Sequence, residues 1–329
     1  MRQKPTSMTA VLTPIWQRVL QQPSVNVEDN FFDLGGDPPL AIKLFTEIAE
    51  ACDRELPPVM IYHAPTIAAL AALLEQRAAP QLPPLVLLKA GIEKQPVFLA
   101  HGLGGSVMEF FQLVKHIQIP HPIYGMQAKG IDGVDAPFDR IEDMAQFYLD
   151  AVKKLQPQGP YILIGHSLGG LVTLEMAQRL LANGEKVALL AMLDAYPHMR
   201  FLSLGQCIRL IGRRAIQHAS TLTRSSTRDS GSVPDRPPIG ASLVPAMKRV
   251  RDDAYIALKR YRPRFYSGKI NFVRAEISSD FPDDPAAVWA HLAEEFEVET
   301  VPGDHVGILT THFEKLASVL SRHLRRASC

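Results

Sequence analysis

The sequence predicts an α/β fold, a mostly parallel sheet covered by helices, preceded by a small all-helical unit. Three observations predict it. Strand-like apolar runs alternate with helical stretches over the larger, later part of the chain. One such run, Tyr161-Ile162-Leu163-Ile164, leads through Gly165-His166-Ser167-Leu168-Gly169 into a helical pattern of Leu171, Leu174, Ala177, Gln178 and Leu181. Before residue 76 the apolar periodicity is helical throughout, with no strand pattern.

In chain order, residues from about Thr9 to Gln76 read as short helices, through Ile15, Val19 and Leu20, then Leu40, Leu44 and Ile48, then Thr66 to Leu74. Arg77 to Pro84 holds three prolines in eight residues, too many for a helix or a central strand. This divides the chain into a helical domain at 1–78, a linker at 79–92 and an α/β domain at 93–329. Strands are expected at Val97–Ala100, Ile123–Ala128, Tyr161–Ile164, Val187–Leu193, Ile270–Arg274 and Phe296–Val301. A helix from Ile141 to Leu155 places Ile141, Met144, Ala145, Tyr148, Leu149 and Val152 on one face, which reads as core.

With 329 residues and 47% hydrophobic content, the chain can build both domains. Its net charge of +1 argues against a global nucleic-acid-binding role, and no apolar run is long enough to span a bilayer. No apolar stretch follows the basic start, so a soluble cytoplasmic protein is expected. Cys52, Cys207 and Cys329 are scattered and odd in number, as expected of reduced thiols, and no metal-ligand spacing occurs.

A glycine-flanked serine between a strand and a helix is a nucleophile elbow: the tight turn brings strand and helix together and holds the serine strained and exposed. A serine hydroxyl needs a base, an orienting acid and donors for the oxyanion. Asp194 follows the run Ala188 to Leu193, at the carboxyl end of a predicted strand. His305 lies just past the last predicted strand, in Gly303-Asp304-His305. The order Ser167, Asp194, His305 is that of α/β-hydrolases. Asp280, Asp283 and Asp284 compete as the acid but read as solvated loop residues, and Asp304 reads as a turn cap. His101, His116, His121, His166 and His198 compete as the base, but only His305 has the right place in the order. The oxyanion donors are expected to be the backbone N–H groups of Leu168 and of Leu103, the latter in His101-Gly102-Leu103-Gly104-Gly105.

These residues, with Ile123-Tyr124-Gly125-Met126-Gln127-Ala128, Gly159-Pro160-Tyr161 and Leu193-Asp194, resemble the thioesterase domains that end nonribosomal peptide and polyketide assembly lines, from about Pro96 to Leu320. The resemblance implies an α/β-hydrolase with a mobile helical lid, here at about 198–262, and supports Asp194 and His305 as acid and base. Where that family often has tryptophan before the nucleophile, this chain has His166. The earlier segment, through Asp29-Asn30-Phe31-Phe32-Asp33-Leu34-Gly35-Gly36-Asp37 and Ala64-Pro65-Thr66-Ile67-Ala68, resembles an acyl or peptidyl carrier domain. There the residue after that aspartate is the serine that bears phosphopantetheine; here it is Pro38.

The expectation is a serine thioesterase that releases an acyl or peptidyl chain from a carrier-bound thioester, by hydrolysis or cyclisation, in nonribosomal peptide or polyketide-type biosynthesis. It requires no cofactor of its own; phosphopantetheine is expected only as the arm of a partner carrier protein or synthetase delivering the chain in trans. The alternatives are a free-standing esterase or editing hydrolase, separable by turnover of acyl-pantetheine against oxygen esters, and a non-catalytic docking module, separable by failure to react with a fluorophosphonate. Between Met199 and Arg264 the segment has 14 Lys plus Arg against 4 Asp plus Glu, which reads either as solvated surface or as a docking face for an acidic carrier. Within it Thr221 to Gly240 is rich in Ser, Thr, Arg and Pro and reads as mobile, and Arg209, Arg213 and Arg214 are the candidate docking residues.

Overall fold

The computed structural model describes residues 7–76, 82–208, 210, 245–277 and 281–327. The first helices, α1 (Met8–Leu20), α2 (Pro38–Cys52) and α3 (Ile67–Glu75), are set by side-chain caps: Ser7, Asp37 and Thr66 accept from the N–H groups of Ala10, Leu40 and Ala69. Pro38 and Pro39 fit the first turn of α2, where the missing N–H groups have no intrahelical acceptor. Leu12, Trp16, Phe31, Leu44, Ile48, Ile67 and Leu70 close one core between these helices. Trp16 meets Phe31 edge to face at 5.4 Å, a favourable quadrupole arrangement.

The α/β part is built on a seven-stranded sheet: β1 (Leu85–Lys89), β2 (Val97–Ala100), β3 (Ile123–Met126), β4 (Tyr161–His166), β5 (Val187–Leu193), β6 (Tyr266–Ala275) and β7 (Ala293–Val301). Its order is β1-β3-β2-β4-β5-β6-β7, with β1 antiparallel to β3 and every other pair parallel. Both faces are covered. Helices α5 (Ile141–Leu155), α6 (Leu168–Ala182) and α7 (Pro245–Arg260) bury Tyr148, Leu171, Leu174 and Ala254 with Phe98, Leu163 and Phe272. On the other face α4 (Phe111–His116) and α10 (Phe313–Ala327) bury Leu113, Leu316 and Leu320 with Leu99, Ile164 and Leu193. Burial on both faces explains why all six residues of β4 are sequestered and why its apolar run does not alternate. Short helices α8 (Pro285–Trp289) and α9 (Gly307–Thr310) fill the loops around β7.

The helical unit packs directly on the sheet domain. Phe32 meets Phe111 at 5.5 Å, and Val59 shares one buried cluster with Val86, Val107, Ile131 and Val250.

Several expectations need correction. The expected linker 79–92 contains β1, whose five residues pair with β3. It is a short, half-covered edge strand straight after prolines, so its apolar run merges with them in the sequence. The strand expected at Ile123–Ala128 ends at Met126, because the N–H groups of Gln127 and Ala128 turn to Pro84 and Gly105. β6 and β7 begin before the expected Ile270 and Phe296. Of the expected lid at 198–262, the described portion includes α7, which buries Val250, Ala254 and Ala257. Arg209, Arg213, Arg214, the segment Thr221–Gly240, the start of the linker, Asp280 and Cys329 lie outside the described residues.

Candidate active site

The turn from β4 into α6 places Ser167 at φ 54° and ψ −119°, a conformation that costs a non-glycine residue about 1–3 kcal/mol. The close approach of its neighbours explains the glycines. A Cβ on Gly165 would fall 2.1 Å from the Gly169 carbonyl oxygen, and one on Gly169 would fall 2.3 Å from that of Ala100. Gly170 is as constrained, at 2.3 Å from the Ala195 Cβ, although the glycine-flanked motif does not reach it. The Ser167 N–H donates to Leu193 O at 2.9 Å, which ties the elbow to the end of β5.

Asp194 follows β5 and also has a positive φ, 45°. Its N–H donates to Val273 O and its Oδ1 accepts from the Ala275 N–H at 3.1 Å, so the neighbouring strand fixes the carboxyl on both sides. Oδ2 lies 2.8 Å from His305 Nδ1, and the carboxyl is buried. His305 sits in the loop after β7, where Gly303 has φ 100° and Asp304 Oδ1 accepts from the Gly307 N–H to cap α9. With Nδ1 facing a carboxylate, Nδ1 carries the proton, and His305 Nε2 accepts from Ser167 Oγ at 3.0 Å. The ring is clamped between His166, stacked at 4.8 Å, and Phe281 at 4.7 Å.

The structure therefore brings Ser167, Asp194 and His305 together; of the competing residues, His166 lies against the His305 ring and Asp280 is outside the described residues, while the others turn elsewhere. Asp284 caps α8 through the N–H groups of Ala286 and Ala287, and the Asp283 main-chain oxygen accepts from Arg274. His101 is enclosed between Gly102 O and the Tyr148 hydroxyl, each at 2.7 Å. A carbonyl only accepts, so Nδ1 donates to it and Nε2 accepts from Tyr148; burial lowers the His101 pKa, in keeping with a neutral ring. His116 and His121 face the backbone oxygens of Gln112 and Gln95. His198 accepts from the Arg200 N–H.

The N–H of Leu168 opens α6, where a first-turn donor has no intrahelical acceptor. The N–H of Leu103 makes no hydrogen bond to the described residues. Its loop abuts the serine: a Cβ on Gly102 would lie 3.6 Å from Ser167 Cβ. Two neighbours of the site gave no sequence signal. Glu109 accepts from the Gly102 N–H at 2.7 Å, and Tyr148, read only as core, also anchors His101.

Phosphopantetheine joins a carrier through a side-chain hydroxyl. Pro38 has none, and the Thr46 hydroxyl farther along α2 is spent on Ile42 O. The residues at this position do not fit covalent attachment. Pro38 instead lines a cavity of about 510 Å³ with Ile42, Phe45, Met108, Ile131 and Met247. Among the described residues no cluster of His, Cys, Asp and Glu suits a metal ion, and no helix is long and apolar enough to cross a membrane.

The family model described as "Thioesterase domain" matches residues 95–324, and that described as "Phosphopantetheine attachment site" matches residues 10–74. The chain is 40% identical over 194 residues, 59% of its length, to a dimodular nonribosomal peptide synthase of Bacillus subtilis (strain 168). It is 31% identical over 267 residues, 80% of its length, to malpibaldin synthetase of Mortierella alpina. It spans only 8% and 5% of those two proteins. A crystal structure of a four-domain nonribosomal peptide synthetase, in its holo form with AMP and glycine, superposes over 98% of this chain and 26% of its own, with TM-score 0.61 and 23% identity, a likeness of fold across both domains.

Proposed function

Because this chain belongs to the thioesterase domain family, with a carrier-like region ahead of it, we propose that it is a serine thioesterase that releases an acyl or peptidyl chain from a carrier-bound thioester. The observation that carries this reading is the placement of His305 between Asp194 at 2.8 Å and Ser167 Oγ at 3.0 Å, with the serine on a strained elbow.

In the first half-reaction Ser167 Oγ attacks the thioester carbonyl while His305 Nε2 takes its proton. Asp194 holds the imidazole in the Nδ1–H tautomer and stabilises the imidazolium. The N–H groups of Leu168 and Leu103 receive the negative charge that develops on the carbonyl oxygen. Collapse breaks the C–S bond, His305 returns the proton to the departing thiolate, and an ester on Ser167 remains. In the second half-reaction His305 takes a proton from water, or from a nucleophile on the chain itself, that oxygen or nitrogen attacks the ester carbonyl, and His305 returns the proton to Ser167 Oγ as the ester C–O bond breaks.

The acyl chain is supplied in trans by a separate carrier protein or synthetase, because Pro38 gives phosphopantetheine no hydroxyl. The helical domain then serves as a docked structural unit, consistent with its Phe32–Phe111 contact and with the burial of Val59 against Val107 and Ile131. The similarity to the synthases of Bacillus subtilis and Mortierella alpina supports a peptide-synthetase setting. Comparing turnover of acyl-pantetheine thioesters and matched oxygen esters tests this reading: a clear kcat/KM preference for the thioester is expected, and a preference for the oxygen ester contradicts it.

A further inference from the structure

The residue before the nucleophile, His166, lies buried within a small polar junction outside the Ser167, Asp194 and His305 set. Its Nε2 lies 3.2 Å from the main-chain oxygen of His305, and its Nδ1 lies 3.5 Å from Glu109 Oε1, an ion-pair rather than a hydrogen-bond separation. Both partners only accept, so both ring nitrogens suit a proton. The same Glu109 oxygen accepts from the Gly102 N–H at 2.7 Å, in the loop expected to present the Leu103 donor. Gly102 fits tightly here, since a Cβ on it would stand 3.1 Å from His166 Nδ1 and 3.4 Å from Glu109 Oε2.

We propose that Glu109 and His166 are positioning residues that couple the oxyanion loop to the loop of the general base. Glu109 fixes Gly102 on one side and draws His166 on the other, and His166 holds His305 through its backbone oxygen and the face of its ring. The proposal rests on Ser167 and His305 being nucleophile and base. The groups facing His166 are Glu109 from the turn before α4, Asp194 after β5, and His305 from its own loop, while His101 also senses Glu109. Burial lowers the His166 pKa, but the Glu109 contact and charge, the His305 carbonyl and the Asp194 charge outweigh it, and the net direction is upward. Across a 4.8 Å stack, the face of the His305 ring meets a neighbour whose positive form is favoured.

The test measures kcat, KM and the pH profile of acyl-pantetheine hydrolysis for the wild type and for Glu109→Gln, Glu109→Ala and His166→Phe, each normalised to the fraction that a fluorophosphonate labels. Glu109→Gln keeps an acceptor for Gly102, so at the pH optimum its kcat stays within about fivefold of wild type. Glu109→Ala loses that anchor, and kcat falls about ten- to hundredfold at little-changed KM. In His166→Phe the positive form beside the His305 ring is lost and Glu109 is left without its partner, so the acid limb of kcat/KM moves to higher pH; in Glu109→Gln it moves up by less. A structural role alone lowers the labelled fraction and the melting temperature without moving the acid limb. An unmoved or lowered acid limb in both His166→Phe and Glu109→Gln overturns the proposal. If instead the wild type is not labelled at Ser167 and Ser167→Ala retains activity, the serine-nucleophile reading itself fails.

Discussion

The carboxyl of Asp194 meets the imidazole of His305 at 2.8 Å across 111 residues of chain, and its other oxygen is held by the N–H of Ala275. Asp194 is thus fixed by β6 where it meets His305. Asp194→Asn removes the acceptor that selects the Nδ1–H tautomer, and kcat is expected to fall roughly a thousand- to ten-thousandfold with the fold intact. Asp284→Asn, at the cap of α8, should leave kcat near wild type and change stability by no more than about 1 kcal/mol. Steady-state kinetics on both variants decides the assignment. A near-normal rate in Asp194→Asn overturns it.

The elbow predicts a sharp contrast between glycines. Gly169→Ala forces a methyl against the backbone of Ala100 and His101 and should cost about 1–3 kcal/mol or prevent folding. Gly104→Ala adds a methyl where nothing lies within 4 Å and should stay within about 0.5 kcal/mol of wild type. Urea midpoints measure both, and equal midpoints contradict the packing argument.

The His101–Tyr148 pair predicts a pH dependence of stability. Burial lowers the His101 pKa, so as pH drops through the ordinary histidine value of about 6.5 the unfolded chain takes up a proton that the folded one refuses. Stability tied to His101 is therefore lost on the acid side. His166 has the opposite sign: its pKa is raised, and its contribution is complete below the ordinary value and disappears as pH rises through the raised one. Melting temperatures between pH 5.5 and 7.5 should fall less steeply toward acid in His101→Gln than in wild type. Parallel curves speak against a buried neutral His101.

Incubation with coenzyme A and a promiscuous phosphopantetheinyl transferase should leave the wild-type mass unchanged, whereas Pro38→Ser supplies the missing hydroxyl at the head of α2 and is expected to gain the arm. A phosphopantetheine adduct on the wild-type protein contradicts delivery in trans.

The parts legible in the sequence were those with a dense local pattern. Val97–Ala100 and Val187–Leu193 have the expected limits, and Ile141–Leu155 buries the six residues its period selects, because a helix or strand covered by a large core leaves an uninterrupted apolar signature. Strand β1 was hidden because an edge strand with one covered face and prolines before it leaves only a weak pattern. Ser167, Asp194 and His305 could be grouped from the sequence because each follows the carboxyl end of a parallel strand, a consequence of chain order. Glu109 and Tyr148 could not, since they reach the site through tertiary contacts between the first βα loop, the turn after it and α5, and nothing in their local sequence registers those contacts.

The most direct test of the serine thioesterase reading is intact mass spectrometry of the protein mixed with a series of acyl-pantetheine thioesters, with Ser167→Ala alongside. The account predicts a transient mass gain equal to one acyl group, mapped to the peptide containing Ser167 and absent from Ser167→Ala. Turnover by Ser167→Ala at the wild-type rate, or an acyl group mapped to another residue, contradicts it.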